Sequence, residues 1–534
     1  MKGIMERFNI FGIRKSKILQ LIVIFYFILY FIVGICVYKD YGFSTDESAE
    51  WEESIVAYKY INSKIFHREV PELSKVADME EFDHRYYGTA MQMPMVFIED
   101  LSDFTLTTQQ IFYMRHLMTF LVCFTGYICF YLALKKIFEN CLPALAGTMV
   151  ISLYPRIWGY QFTDLKNLIF LALNMMVLLA LVYVVEIENM LTVSLFGCIA
   201  ALATNQRIMA VVYPVVLLGY WLVRDITDVI KRNNRVKKVF LFGKYPFVIA
   251  VYFLSWVLIS PFAWLENPFS AFINTFKSFS KYDWNGTMVF IGRLITCEER
   301  PWYYLPVWFG LTIPFMYLVL FLTGHVALFW SLKKEEHVWE SLIGKYKWPA
   351  CGILLFWGIV GAVIILDSRI YIGWHHVYFV LMPFTVIAVY GLCFLARLFS
   401  KKIVGGMFVL CLAGLIGWMA LNHPFQVVYF NFAGRHFAEL FDRDEQRATS
   451  SVLLDWVLDH EEKAVTICGE TDSCLLLTEE EKMRVSIAGE GEAEYFIDVF
   501  RNVVGNEPVH KGYEEVYASW VDGYKIGAVY QRIE

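Results

Sequence analysis

The feature that most limits this chain is a succession of apolar stretches, each long enough to cross a bilayer, joined by short polar connections. They lie near 18–38, 111–134, 142–159, 168–188, 245–262, 303–330, 349–366, 377–397 and 404–421. A helix needs about 20 apolar residues to span the hydrocarbon core, and each stretch approaches or exceeds that length. The stretch 189–223 is too long for one crossing, and "ATNQR" (203–207) interrupts it. Two short helices meeting at 204–207 are expected there, which makes about eleven crossings in all. The first stretch follows a basic N-terminus and shows no small-residue cleavage site, so it reads as an uncleaved span.

Charge placement tests this layout, because cytoplasmic connections carry an excess of Lys and Arg. Lys2, Arg7, Arg14, Lys15 and Lys17 precede the first span. Lys135 and Lys136, the block 224–238, Lys333, Lys334, Lys345 and Lys347, then Arg397, Lys401 and Lys402 follow. All fall on one side when crossings alternate, provided that the chain is split at 203–207. The N-terminus is therefore expected inside and the C-terminus outside. The expected organisation is a membrane domain, 1–421, with a long acidic first extracytoplasmic loop at 39–110. A second outer loop runs from 263 to about 302. The tail, 422–534, alternates strand-like pieces ("KAVTICG", "YKIGAVYQRI") with the helix-like "SSVLLDWVLDHEEK", and reads as a small extracytoplasmic α/β domain.

Composition agrees: 57% of residues are hydrophobic and only 18% charged, as in an α-helical polytopic membrane protein. A net charge of −6 gives no support to nucleic-acid binding. The 11 cysteines show no CxxC pair, and Cys468 and Cys474 read as free thiols.

Ionisable residues at membrane level are costly unless paired or wet, which makes each a functional candidate. On the outer side they are Asp46 and Glu47, "PRIWGYQFTDLKN" (155–167), Arg207, "GRLITCEERPWYY" (292–304) and "DSRIYIGWHH" (367–376). A carboxylate there can take a proton from an acceptor, while Arg and Lys can hold a phosphate and stabilise the charge it gains on leaving. Together they suggest sugar transfer from a polyprenyl phosphate. Simpler readings apply to single residues. An acidic stretch such as 46–53 is ordinarily solvated, and Arg156 and Lys166 at span ends ordinarily snorkel. Asp283, Glu298 and Glu299 read as solvent-facing, and His375–His376 lack a partner at metal-ligand spacing. Arg207 resists such a reading, since no other charge lies between Glu188 and Arg224.

The ordered set of motifs resembles the GT-C class of integral-membrane glycosyltransferases, in particular bacterial protein O-mannosyltransferase-like (family 39) and aminoarabinose transferase-like proteins. "STDESAEW" (44–51) is similar to the acidic motif opening the first outer loop. "YPRIWGYQFTDLKNLIF" (154–170) is similar to the second acidic motif, and "TNQRIM" (204–209) to the arginine segment after it. "ERPWYYLPVWFGLTIP" (299–314), "YIGWHHVYFVLMPF" (371–384) and "NHPFQVVYFNFAG" (422–434) resemble later family stretches. The resemblance implies a GT-C fold in a bacterial plasma membrane and a polyprenyl-phosphate-linked sugar donor. The acceptor it implies is a lipid, polymer or protein. It implies Asp46 as general base, with Glu47 and Asp164 as helpers that orient the acceptor or a cation. It implies Lys166, Arg207, Arg293 and Arg300 as phosphate contacts, with His375 and His376 in the same set. Relatives differ in their use of a divalent cation, Mg or Mn, so the resemblance leaves metal open. Two positions depart from the family pattern: Asn167 follows Lys166 in place of Asp, and His375 stands where Arg is usual.

Two other classes of function compete. A transporter or lipid flippase would also carry charges in its membrane part, but along a path near the midplane and with internal repeats, neither of which is evident. A non-catalytic surface scaffold would account for the tail but not for the acids.

Overall fold

The computed structural model describes residues 17–232, 238–280 and 284–533. Asp283, Lys2, Arg7, Arg14, Lys15 and the centre of the basic block at 224–238 lie outside them.

The chain is mostly helical. Helix α1 (Lys17–Val37) leads into a folded first loop holding α2 (Glu47–Ile61) and α3 (Met93–Leu101). Then come α4 (Thr108–Phe138), α5 (Cys141–Ser152), α6 (Pro155–Thr163), α7 (Asn167–Glu186), α8 (Met190–Gln206), α9 (Val212–Arg232) and α10 (Lys238–Ile259). After α11 (Pro268–Ser280) a hairpin pairs β1 (Thr287–Phe290) with β2 (Arg293–Thr296). The remaining membrane-part helices are α12 (Tyr304–Thr312), α13 (Phe315–Leu332), α14 (Val338–Ile343), α15 (Lys347–Ile365), α16 (Leu381–Leu398) and α17 (Lys401–Leu421). Among the described residues, 8 helices are long and apolar enough to cross a membrane, and three shorter apolar ones accompany them. The chain is an integral membrane protein by that measure.

Two expected spans are broken, each by a proline. The stretch expected over 142–159 stops at Ser152, and Pro155 starts α6. The stretch expected over 303–330 is cut at Ile313–Pro314 into α12 and α13. Proline lacks an N–H and disfavours the helical region for its predecessor, and both Tyr154 (ψ 120°) and Ile313 (ψ 131°) are extended. The expected break at 203–207 is present: α8 ends at Gln206 and Arg207 is extended (φ −149°, ψ 128°).

The first loop is built rather than merely solvated. Ile55, Tyr58, Val70, Leu73 and Val96 form its own small core. Arg68 holds Asp100 through two hydrogen bonds of 2.7 and 2.8 Å.

The tail carries α18 (Ser450–His460), β3 (Val465–Gly469), α19 (Glu479–Arg484), β4 (Val485–Ile487), β5 (Tyr495–Val499), β6 (Tyr513–Val521) and β7 (Tyr524–Arg532). The strands form one mixed sheet in the order β4-β3-β5-β7-β6, parallel across β4, β3 and β5 and antiparallel thereafter. Apolar residues of α18 (Leu453, Leu454, Val457) pack on Ile467, Ile497 and Val529 of the sheet. Cys468 and Cys474 are free thiols. Val521, Tyr524 and Ile526 instead join the main bundle core, so the tail is seated on the bundle. The segment between α17 and α18 is buried: Asp442, Arg443, Asp444, Glu445 and Gln446 are all at most 3% exposed.

Candidate active site

The site starts where the chain leaves α1. Residues 42–45 lie along the segment that opens α18. Phe43 N donates to Ser451 Oγ (3.3 Å), Thr45 N to the Gln446 carbonyl (3.1 Å) and Ser44 Oγ to Gln446 Oε1 (3.0 Å). Arg501 Nη1 donates to Thr45 Oγ1 (3.2 Å). This docking sets Asp46 at the N-cap of α2, half-buried, with its side chain not used to cap the helix. Among the described residues its carboxylate accepts no hydrogen bond and lies in no ion pair. The adjacent acid differs. Glu47 is buried, its Oε1 accepts from Ser44 N (2.8 Å) and its Oε2 sits 2.8 Å from His116 Nε2. One Glu47 oxygen thus fixes the turn at Ser44 and the other ties it to α4.

Along α2 the spacing 46, 50, 53 puts three acids on one face. Glu50 and Glu53 are buried, and both turn to Lys166, at 3.9 and 3.2 Å from its Nζ. Lys166 also lies over the Tyr87 ring (4.3 Å), and His84 Nδ1 is 3.8 Å from Glu53. Burial pulls the Lys166 ammonium down, but Glu53, Glu50 and Asp46 more than offset it and hold it above its ordinary range. Burial pushes the Glu50 carboxyl well up, Lys166 pulls against it, and Asp46, Asp164 and Glu53 push the same way as burial. Both Glu50 oxygens are buried with no hydrogen-bond partner among the described residues.

Asp164 closes α6 and Lys166 opens α7, so the turn between these helices presents both. The Asp164 oxygens accept from Asn167 N (2.7 Å) and Asn167 Nδ2 (2.9 Å). Asn167 thus serves as the clamp on Asp164. Burial raises the Asp164 carboxyl, with His375 and Asn167 lowering it and Asp46 raising it. Arg207 is tied to the same turn through its neighbour, since Gln206 Nε2 donates to the carbonyls of Leu165 (3.0 Å) and Lys166 (3.3 Å). Its guanidinium is half-buried and forms no ion pair among the described residues, and its Nε is buried without a partner.

The His375 and His376 ring centroids lie 4.1 Å apart, tilted by 32°, and the charges of Arg207, Lys166 and Arg300 reach His376. His375 Nδ1 is 3.6 Å from Glu445 Oε2. Arg156 does not snorkel. Because α5 ends early, Arg156 falls in the buried first turn of α6, where it is 0% exposed and donates to the Tyr429 carbonyl (2.8 Å) and to Glu445. Gly373 is required beside this pair: its φ is +73° and a Cβ there would lie 2.1 Å from Glu445 Oε1.

Two expected phosphate contacts are placed differently. Arg300 is occupied in bracing a loop, donating to the Ile370 carbonyl (2.9 Å) and to Asp367 (2.8 Å). Arg293 stands exposed on β2, with no contact to the cluster among the described residues. Glu298 and Glu299 are exposed, as expected. Asp46, Asp164, Lys166, Arg207, His375 and His376 are the expected residues that come together. Sequence reading missed Glu50 and Glu53, which the helical stripe in "DESAEWEE" signals. It also missed Glu445, Arg447 and Arg501, for which the sequence offers no signal, since they reach the site only through the seating of the tail. Among the described residues no three His, Cys, Asp or Glu side chains converge at metal-ligand spacing.

Chemically, the cluster offers a carboxylate free to accept a proton, a lysine whose charge is secured by buried acids, and an arginine with donors unspent.

No protein-family model matches the chain, and none of the curated proteins matches it. Among solved structures it shows a likeness to the cryo-EM structure of the arabinofuranosyltransferase AftD from Mycobacteria, at 12% identity and a TM-score of 0.38. The likeness covers 84% of this chain and 36% of that one, so the chain spans little more than a third of that protein's length.

Proposed function

We propose that this protein is a GT-C-type glycosyltransferase that moves a sugar from a polyprenyl-phosphate-linked donor to an acceptor at the extracytoplasmic face of a bacterial plasma membrane. One observation carries the reading. Asp46 is a half-buried carboxylate with no hydrogen bond of its own among the described residues, at a fixed helix start, within electrostatic reach of Lys166. Its neighbour Glu47 has both oxygens engaged, so of the two adjacent acids Asp46 is the one left to do chemistry. The motif resemblance supports the same residue.

In the proposed step Asp46 accepts the acceptor's hydroxyl proton. The acceptor oxygen bonds to the anomeric carbon from the face opposite the phosphate, which inverts the configuration. The bond from that carbon to the phosphate oxygen breaks, and its electron pair leaves with the polyprenyl phosphate. Arg207 and Lys166 stabilise that charge. Asp164 and Asn167 keep the Lys166 turn in place. The basic residues at the far end of the bundle (Lys136, Arg224, Lys244) fit a cytoplasmic face there, with the tail outside.

The test is transfer from radiolabelled polyprenyl-phosphate sugars in membranes holding wild-type or Asp46→Asn protein. Loss of about 10²–10⁴-fold is expected for the variant. Undiminished transfer by Asp46→Asn would remove the base assignment. A wild type that transfers from no lipid-linked donor but moves a lipid or solute across vesicles would replace the enzyme reading with a transporter.

A further inference from the structure

The tail sets two arginines beside the segment that carries Asp46. Arg501 donates to Thr45 Oγ1, one residue before Asp46. Arg447 lies one residue beyond Gln446, whose carbonyl holds Thr45 N. Arg447 takes a left-handed backbone, φ 61°, which a residue with a Cβ adopts at a cost. Glu470 holds Arg447 on one side at 2.8 Å. Arg501 has no carboxylate in ion-pair range among the described residues. The Nε atoms of both are buried without a hydrogen-bond partner among the described residues.

Of these two guanidinium groups, which lie within electrostatic reach of each other, Glu470 pairs only Arg447, so an anion offering oxygens to both is favoured. Burial and the Arg447 charge both pull the Arg501 guanidinium down from its ordinary range. Asp442, Asp46 and Glu470 pull the other way without reversing the shift, and none of them lies in ion-pair range of Arg501 among the described residues. A guanidinium fork with free donors matches the oxygens of a phosphate or carboxylate.

We propose that Arg447 and Arg501 form an oxyanion subsite beside Asp46, and that the acceptor is anionic, bound through a phosphate or carboxylate that presents its hydroxyl to Asp46. This rests on the transferase reading for the word acceptor, but not for the subsite itself. The tail is then part of the substrate-binding machinery. The base lies within reach of two cationic sets: Lys166 from the bundle and Arg501 from the tail.

The test is arginine modification by phenylglyoxal on the full-length protein in detergent, read residue by residue by mass spectrometry, with inorganic phosphate as probe. Phosphate at twice its dissociation constant should slow modification of Arg447 and Arg501 about threefold. Exposed Arg293 should react at an unchanged rate. In Arg501→Lys protein the protection of Arg447 should fall, whereas acetate should protect both arginines of the wild type if carboxylates also fit. Equal modification with and without phosphate would overturn the subsite. So would protection of these two residues by micellar polyprenyl phosphate alone, since that would assign them to the donor. Protection without any sugar transfer would uphold the subsite while removing the transferase reading. Transfer without protection would do the reverse.

Discussion

Glu445 of the tail and Arg156 of α6 form an ion pair in which both side chains are 0% exposed. The chain separates these residues by nearly three hundred positions, so the pair pins the tail to the bundle at one interior point. Removing one partner strands the other charge in a dry setting, at a cost of about 3–5 kcal/mol. Glu445→Gln and Arg156→Met should each lower the thermal unfolding midpoint in detergent substantially. The double variant should recover part of that loss, because replacing a whole buried pair costs less than halving it. Strictly additive losses would show that the two side chains act independently.

Arg207 and Arg300 make a contrasting pair. Arg207 has unspent donors and no ion-pair partner among the described residues, whereas Arg300 is engaged with Asp367 and the Ile370 carbonyl. Arg207→Gln is expected to raise the KM for lipid-linked donor about 10-fold or more, the worth of a hydrogen bond to a charged group, with little change in unfolding midpoint. Arg300→Gln should do the opposite. Steady-state transfer kinetics beside thermal unfolding of both variants would separate the two roles.

Much of this architecture was legible in the sequence because apolar length and polar interruption act locally. The break at Arg207 could be read from a polar interruption, and Tyr524–Arg532 from strand-like alternation. The breaks before Pro155 and Pro314 went unread because apolar composition continues through them, although proline disfavours helical backbone at the residue before it. At the site, Asp46 and Lys166 stood out through motif likeness, and Glu50 was available from helical spacing. Glu445 and Arg501 were not, because their roles depend on a tertiary contact between distant segments and on burial, which no local pattern encodes.

The Glu50 carboxyl makes stability depend on pH in a particular sense. Burial raises it in the folded protein, and Lys166 only partly offsets this. Between the unfolded and folded values the folded state holds a proton that the unfolded chain releases, so stability falls as pH rises through that window. The contribution is complete below the ordinary carboxylate range and is lost above the raised value, with a slope of at most about 1.4 kcal/mol per pH unit. Glu50→Gln should remove that slope, leaving a shallower decline of unfolding midpoint from acid to mildly alkaline pH. A variant curve parallel to the wild type would place the proton elsewhere, Asp164 being the next buried acid.

Gly42 tests whether docking of the tail positions Asp46, the proposed base. A Cβ added there would lie 2.3 Å from the Ala448 carbonyl oxygen and 2.7 Å from Ser451 Oγ. The carbonyl belongs to backbone that is itself held, since Ala448 N donates to Asp444 Oδ1 at 3.1 Å, so it has little room to give. Gly42→Ala should therefore push residues 42–45 off the tail, break the Phe43–Ser451 and Thr45–Gln446 contacts and cost about 1–3 kcal/mol. Asp46 immediately follows this segment, and a shift of about 1 Å at a reacting group can lower the rate about 10²-fold. Gly414→Ala is the control, because a Cβ on that α17 glycine meets nothing within 4 Å and helix propensity favours alanine. Transfer should collapse in Gly42→Ala and persist in Gly414→Ala, measured on membranes with matched protein content. Wild-type transfer by Gly42→Ala would mean that α2, rather than the tail, holds Asp46 in place.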